Sequence, residues 1–430
     1  MPKIGLTTAI AIVVANMVGT GIFGSLGFQV AVIPSGFPVL LLWLIGGVIS
    51  VCGAMCYSEL AAMFPRSGGE YQLLNCCWPK IVGFLSGWIS VTAGFTAPIA
   101  LNAVLMGQYL EAITGWHSNW FAVLVVAGVC LIHLGKLNGI AKFQASFTAA
   151  KLILIVSLGI LGFALGTRQD ISFLPRAGDR ELILSPEFGI SLVFVLYAYA
   201  GWNAATYMID EVRDPKRVVP LAILIGTAIV TAVYLFVNAA FLYSTPIADL
   251  AGEPEAGLIA SKAILGTKAG NIMGLIIAFG LISTISSMTW AGPRVTYAIG
   301  QDYPLFRKFA HLNQNGVPSV AIIFQSLLAV ILILSASFEQ LLHYIQALLT
   351  VSSMAVVVGM MWLRIRQPGL ERPFRAWGFP VTPIIFLACT GGILFFQIQQ
   401  KPLECLWGAL TLVIGAAIYY GIVRSSRFCP

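Results

Sequence analysis

Twelve apolar stretches of bilayer-crossing length leave this chain little choice of fold. They fall at 7–33, 37–63, 81–110, 119–135, 140–166, 187–209, 218–243, 268–292, 317–336, 340–363, 380–399 and 403–423. A helix needs roughly 20 consecutive apolar residues to span the hydrocarbon core. With 58% of residues hydrophobic and 10% charged, a water-soluble surface could not be covered. The expectation is an all-α membrane protein with twelve transmembrane helices and both termini on one side. No cleavable signal is expected, because Met1–Gly5 runs directly into the first apolar stretch.

Charge placement orients the chain. If the N-terminus is cytoplasmic, seventeen of the 24 lysines and arginines fall on that side. They are Lys3, Arg66, Lys80, Lys136, Lys142, Arg213, Lys216, Arg217, Arg294, Arg307, Lys308, Arg364, Arg366, Arg372, Arg375, Arg424 and Arg427. Six, Arg168, Arg176, Arg180, Lys262, Lys268 and Lys401, fall on the other. This asymmetry follows the positive-inside rule. It reads the net charge of +7 as topology, with no nucleic-acid partner. A bacterial inner membrane is the expected location. The long outer loop 167–186 is mixed in charge, and the outer loop 244–267 has room for a short helix.

Inside the first stretch lies Asn16-Met17-Val18-Gly19-Thr20-Gly21-Ile22-Phe23-Gly24. Each glycine costs a helix interior about 1 kcal/mol relative to alanine. Broken backbone at membrane depth is tolerated only against protein or a water-filled cavity. The helix is therefore expected to open near 19–21. An opened helix offers free N–H groups at one end and free carbonyls at the other, and together these can hold a zwitterion without charged side chains. Close helix packing through small residues is the competing reading of the same pattern.

A second small-residue interruption, Tyr197-Ala198-Tyr199-Ala200-Gly201-Trp202-Asn203-Ala204-Ala205, follows five crossings later. Five is odd, so a second block of five would enter from the opposite face. Paired interrupted helices in matching positions point to an inverted-repeat transporter with its site at the midplane. The expected units are 1–166, 187–363 with its break near 200–203, and two additional helices at 380–423.

One charge is expected deep in the bilayer. Lys151 lies twelve residues into the fifth stretch, about 18 Å at 1.5 Å per residue. An intramembrane lysine is costly and by default functional. The expected role is to tie carbonyls of the first stretch to hydroxyls of the eighth, with Ser283, Thr284, Ser286 and Ser287 as candidates. A fixed ammonium there would occupy the place of a sodium ion. No other ionisable side chain is expected deep in the site, which favours a neutral cargo. Aromatic faces at Tyr197 or Trp202 leave room for a cation. Glu59 is expected in an inner-gate network. The eight cysteines (52, 56, 76, 77, 130, 389, 405 and 429) are scattered and form no disulfide framework. The four histidines are dispersed. No metal cluster, cofactor site, nucleophile–base pair or phosphate loop is apparent, which argues against an enzyme.

In this order, several short motifs resemble the amino acid–polyamine–organocation superfamily of secondary transporters, most closely its L-type neutral amino acid branch and the bacterial serine/threonine exchangers. They are Gly19-Thr20-Gly21-Ile22-Phe23, Tyr57-Ser58-Glu59-Leu60, Pro65-Arg66-Ser67-Gly68-Gly69-Glu70-Tyr71, Tyr199-Ala200-Gly201-Trp202-Asn203, Asp210-Glu211-Val212-Arg213-Asp214-Pro215-Lys216-Arg217, Pro293-Arg294-Val295-Thr296-Tyr297-Ala298 and Arg372-Pro373-Phe374-Arg375-Ala376-Trp377-Gly378-Phe379-Pro380. The resemblance implies a LeuT-type five-plus-five inverted repeat with two C-terminal helices. It implies a substrate site of Met17, Gly19, Thr20, Gly21, Ile22, Tyr197, Ala200 and Asn203. Amides of Thr20, Gly21 and Ile22 would take the carboxylate, and carbonyls of Met17, Tyr197 and Ala200 the ammonium. Gating and coupling would fall to Lys151, Tyr197, Trp202, Ser283 and Ser286. Tyr197 matches the family's proximal gate, and Lys151 the lysine of sodium-independent members. The chain departs from the family at Ser286, where related exchangers often carry asparagine.

The expected function is sodium-independent transport of neutral L-amino acids by alternating access, as an exchanger or coupled to protons, with the lipid bilayer as surroundings and no obligate protein partner. A cationic amino acid or polyamine exchanger is the alternative within the superfamily. A transporter-like membrane sensor or a channel is the alternative outside it.

Overall fold

A computed structural model describes residues 4–135 and 140–426, without the side chains of 140–148 and 423–426. Of the residues read from sequence, Lys3, Lys136, Arg427 and Cys429, and the side chains of Lys142 and Arg424, lie outside the described residues.

The first apolar stretch is divided into α1 (Leu6–Met17), α2 (Thr20–Gly24) and α3 (Leu26–Val32). Then come α4 (Gly36–Met63) and the short α5 (Gly69–Cys77). The next helix, α6 (Lys80–Ile89), widens into a π-helical turn at Ser90–Gly94 before α7 (Thr96–Thr114). The Thr96 hydroxyl donates five residues back to the Val91 carbonyl, 2.9 Å, inside that turn. Gly115, left-handed at φ 76°, closes α7, a conformation that glycine adopts without a Cβ clash.

Next come α8 (Ser118–Leu134), α9 (Ile140–Leu165) and the loop helix α10 (Asp179–Ile183). Ser185 caps α11 (Pro186–Tyr199) by accepting from the Phe188 N–H, with proline at the first helical position. A 3-10 helix, Ala204–Glu211, leads to α12 (Pro215–Ser244). The loop after it holds α13 (Ile247–Leu250) and the start of α14 (Ala256–Asp302), which bends at Gly266, φ 79°. The eighth stretch was expected to end at 292. Its helix runs ten residues further, because Pro293 is accommodated within α14. Another 3-10 segment, Pro304–Ala310, precedes α15 (Ser319–Ser335), α16 (Phe338–Arg366), α17 (Val381–Gln400) and α18 (Pro402–Ser426). A capping box of Ser337 and Gln340 starts α16.

Among the described residues, nine helices are long and apolar enough to cross a membrane, and three shorter apolar ones accompany them at Ser118–Leu134, Ala149–Leu165 and Ser319–Ser335. Among the described residues, an isolated parallel β-bridge joins Ile4 to Val212. The broken first stretch packs on α12, α12 on α4, and α14 on α7. Large apolar side chains such as Leu406, Trp407 and Val413 of α18 face outward, as lipid allows. Buried Glu59 of α4 pins α16 and the 367–380 loop. Its carboxylate accepts from Arg364 at 2.8 and 2.5 Å and from the Ala376 N–H at 2.7 Å, with Arg372 Nε 3.3 Å away.

Candidate functional site

The two interruptions meet. Backbone geometry leaves the helix at Val18 (ψ 94°) and Gly19 (φ −143°, ψ −140°), and helix resumes at Thr20. The second departure covers Ala200 (ψ 147°) to Asn203, with Gly201 at φ +100°. A Cβ on Gly21 would lie 2.3 Å from the Ala198 Cα, and one on Gly201 would lie 2.8 Å from the Asn16 carbonyl oxygen. Only glycine lets these two backbones cross so closely. Each break also strands polar groups: the last carbonyls of α1 and α11 and the first N–H groups of α2 lack helical partners.

Three sets of side-chain hydrogen bonds hold the breaks. Buried Lys151 donates from Nζ to the Val18 carbonyl at 2.7 Å and to the Thr284 hydroxyl at 2.8 Å. The Tyr234 hydroxyl, from α12, lies 2.7 Å from the Met17 carbonyl and 3.1 Å from the Ala198 carbonyl, bridging both breaks. Across the gap, Thr20 and Tyr197 join hydroxyl to hydroxyl at 3.3 Å.

Between the breaks lies a cavity of about 130 Å³, lined by α1, α2, the chain after α11, the π turn, α7, α14 and Leu349 of α16. One water needs only about 10–15 Å³, so the space admits a small molecule. Met17, Gly19, Thr20, Gly21, Tyr197, Ala200 and Asn203 line it. Ile22 is fully buried and off the wall. Along α14, Thr284, Ser287, Met288 and Ala291 face the cavity, the i, i+3, i+4, i+7 pattern of one helix face. Ser286 lies off that face and pairs with His133 at 2.9 Å. Ser283 likewise turns aside, donating to the Gly280 carbonyl at 2.8 Å. Trp202 packs edge-on against Tyr57, centroids 4.5 Å apart, and lines a second cavity of about 70 Å³ behind the break.

Among the wall residues that the sequence did not assign to the site, two bear most on its chemistry. Asn102 of α7 donates to the Pro98 carbonyl, but its buried Oδ1 has no partner among the described residues, so it presents an open acceptor beside Gly19. Its signal was an asparagine inside an apolar run. Glu70 corrects the expectation of a site without a further ionisable group. The short α5 folds back beneath the cavity, and Glu70 lines both the central and the second cavity. Its Oε1 accepts from Tyr57 at 2.6 Å and Asn203 at 3.1 Å, and its Oε2 accepts from Ser352. Burial pushes this carboxyl up from its ordinary value, against the pull of the Ser352, Tyr57 and Asn203 donors.

Donors at one end, acceptors at the other and an aromatic cover suit a small zwitterion. Among the described residues, no group of three or more His, Cys, Asp or Glu could hold a metal ion.

The sequence profile of the amino acid permeases matches residues 4–421. The chain is 26% identical to the large neutral amino acids transporter small subunit 2 of Mus musculus, over 97% of this chain and 80% of that one. It is 25% identical to the serine/threonine exchanger SteT of Bacillus subtilis, over 98% and 97%. It is also 25% identical to the human b(0,+)-type amino acid transporter 1, over 98% and 88%. An integral membrane protein with apolar spans, two glycine-broken helices around a central cavity and this profile match, the chain belongs to the amino acid permease family of the amino acid–polyamine–organocation superfamily.

Proposed function

We propose that this permease is a sodium-independent secondary transporter of neutral L-amino acids, working by alternating access as an exchanger or with protons. The observation that carries the reading is Lys151 Nζ held between the Val18 carbonyl and the Thr284 hydroxyl; on this reading a lysine bridges the first break to α14 where a sodium ion would otherwise sit. On this reading the nine long and three shorter apolar helices make twelve crossings in a five-plus-five inverted repeat. The units are 1–166 and 187–363, with two further helices at 380–423. Both termini are cytoplasmic, in a bacterial inner membrane.

The substrate carboxylate sits on the amides of Thr20, Gly21 and Ile22, and the ammonium on the carbonyls of Met17, Tyr197 and Ala200. Charge-assisted hydrogen bonds contribute about 1.5–3 kcal/mol each, so two or three at each end offset desolvation of the zwitterion. Tyr197 covers the site as its gate. The names of the mouse and Bacillus relatives support a neutral cargo and exchange. The mouse relative's name also calls it a small subunit, which makes a protein partner a question for purification.

Glu70 on the cavity wall favours a second reading, a cationic amino acid or polyamine exchanger. An uptake panel in proteoliposomes, in sodium and in choline buffer, with and without internal amino acid, tests both. Saturable uptake of serine, alanine or leucine in either buffer is expected. Stronger competition by arginine or putrescine would select the second reading. Absence of saturable uptake of any amino acid would end both, and flux without saturation would indicate a channel.

A further inference from the structure

Glu70 is a buried carboxyl group among neutral partners. Among the described residues no lysine, arginine or histidine forms an ion pair with it. Its donors come from three directions: Tyr57 of α4, Ser352 of α16 and Asn203, just past the second break.

The titratable groups around it are otherwise engaged or neutral. Tyr57 donates to it and Tyr207 lies beside it on the cavity wall. On its own helix Tyr71 bonds Asp302, and Cys76 and Cys77 are thiols whose titration burial moves up, away from neutrality. From the 3-10 segment, Asp210 bonds the Ser67 N–H and Glu211 pairs with Arg294. On α16, Arg364 is held by Glu59 and Arg366 lies over Trp362. Lys80 of α6 is exposed.

A purely structural carboxylate would be satisfied in one charge state. Glu70 can be satisfied in two. Ser352 Oγ lies 3.0 Å from Ser86 Oγ, and either hydroxyl can donate. When Glu70 is ionised, Ser352 donates to it. When a proton binds Oε2, that O–H donates to Ser352, whose own hydrogen turns to Ser86. No bond beyond the one O–H forms or breaks.

The two states differ in their grip on Asn203. The Asn203 amide donates to an anion in one and to a neutral acid in the other, and hydrogen bonds to charged groups are the stronger ones. Protonation therefore loosens the chain beyond the second break, and coupling of this kind is reciprocal. We propose that Glu70 binds and releases a proton that travels with the amino acid. This rests on the transport reading above.

The test uses the full chain in liposomes containing a pH-sensitive dye. An inward proton gradient should raise wild-type uptake of a neutral amino acid, with lumenal acidification that depends on substrate. The rise should approach about tenfold per pH unit on the limiting side of a single titration. In Glu70→Gln the ratio of uptake with and without the gradient should fall to one, whatever the absolute rate. Adding substrate to purified wild-type protein in weak buffer should move protons, and Glu70→Gln should abolish this even if it no longer transports. If Glu70→Gln does not fold, Glu70→Asp decides. A displaced pH midpoint supports the proposal, and an unchanged midpoint overturns it. Wild-type uptake without proton movement, or a gradient response retained in Glu70→Gln, overturns it while leaving amino acid transport intact. Absence of any wild-type amino acid uptake overturns both.

Discussion

Lys151 Nζ donates to the carbonyl of Val18, 2.7 Å away across 133 positions of sequence. The carbonyl belongs to the residue just past α1, and the same Nζ reaches Thr284 on α14. One side chain therefore ties the first break to the eighth stretch.

Replacing this lysine separates function from fold. Lys151→Ala leaves the buried Val18 carbonyl without its donor, a cost of about 1–3 kcal/mol, and relieves the desolvation of an ammonium. The variant should purify as a monodisperse species with a thermal midpoint near that of the wild type, while uptake or its pH dependence is lost. Unchanged uptake at every pH would remove Lys151 from the cycle.

Tyr197 closes on Thr20 through one hydroxyl pair at 3.3 Å. Tyr197→Phe keeps the ring and removes that bond, worth about 0.5–1.5 kcal/mol. Apparent KM should rise by up to about tenfold, since 1.4 kcal/mol is a factor of ten. Tyr197→Ala removes the cover as well and should raise KM further. Concentration-dependent uptake of each variant measures this, and an unaltered KM in Tyr197→Ala would take the ring out of the gate.

Glycine at 21 is required by contact rather than by backbone angle. A Cβ there would stand 2.3 Å from the Ala198 Cα, whereas one at Gly128 of α8 meets nothing within 4 Å. Gly21→Ala should therefore separate the two breaks and abolish substrate binding. Gly128→Ala should be neutral or stabilising, since alanine is the better helix former by about 1 kcal/mol. Binding measured by substrate-induced thermal stabilisation would distinguish them. Equal behaviour of the two would mean that the crossing is not needed.

Tyr234 is the clamp that joins the breaks, with its hydroxyl on the Met17 and Ala198 carbonyls. In Tyr234→Phe the two carbonyls lose the one hydroxyl hydrogen they share in a buried setting, at about 1–3 kcal/mol. The thermal midpoint of the purified protein should drop by several degrees, and added substrate should recover part of the loss. A midpoint equal to that of the wild type would show that the clamp is dispensable.

What the sequence makes legible follows from the strength of each signal. Spanning helices are visible because lipid demands long apolar runs, and the glycines at 19, 21 and 201 mark where such runs leave helical geometry or touch. Phase along α14 was readable but needed an anchor. Taking Thr284 as the cavity-facing residue selects Ser287, Met288 and Ala291 and turns Ser283 and Ser286 away. Glu70 was hidden because hydropathy assigns Pro65–Tyr71 to a loop, and nothing in a linear window reveals that α5 returns beneath the cavity. The placement of Trp202 behind the break was unreadable for a related reason. Next to a glycine with positive φ, the face on which a side chain emerges cannot be read from helical periodicity.

The last prediction concerns the fold alone. Glu59 is fully buried and meets two arginines and a backbone N–H. Removing one member of a buried ion pair leaves the other charge stranded, at about 3–5 kcal/mol, whereas removing both members together costs much less. Glu59→Gln should therefore lower the thermal midpoint markedly and reduce the yield of monodisperse protein. Glu59→Gln combined with Arg364→Met should recover part of that loss, although Arg372 stays charged beside it. A double variant less stable than Glu59→Gln alone would mean that Arg364 stabilises the 367–380 loop through its contacts with the Ala376 carbonyl and the Phe379 ring rather than through the carboxylate.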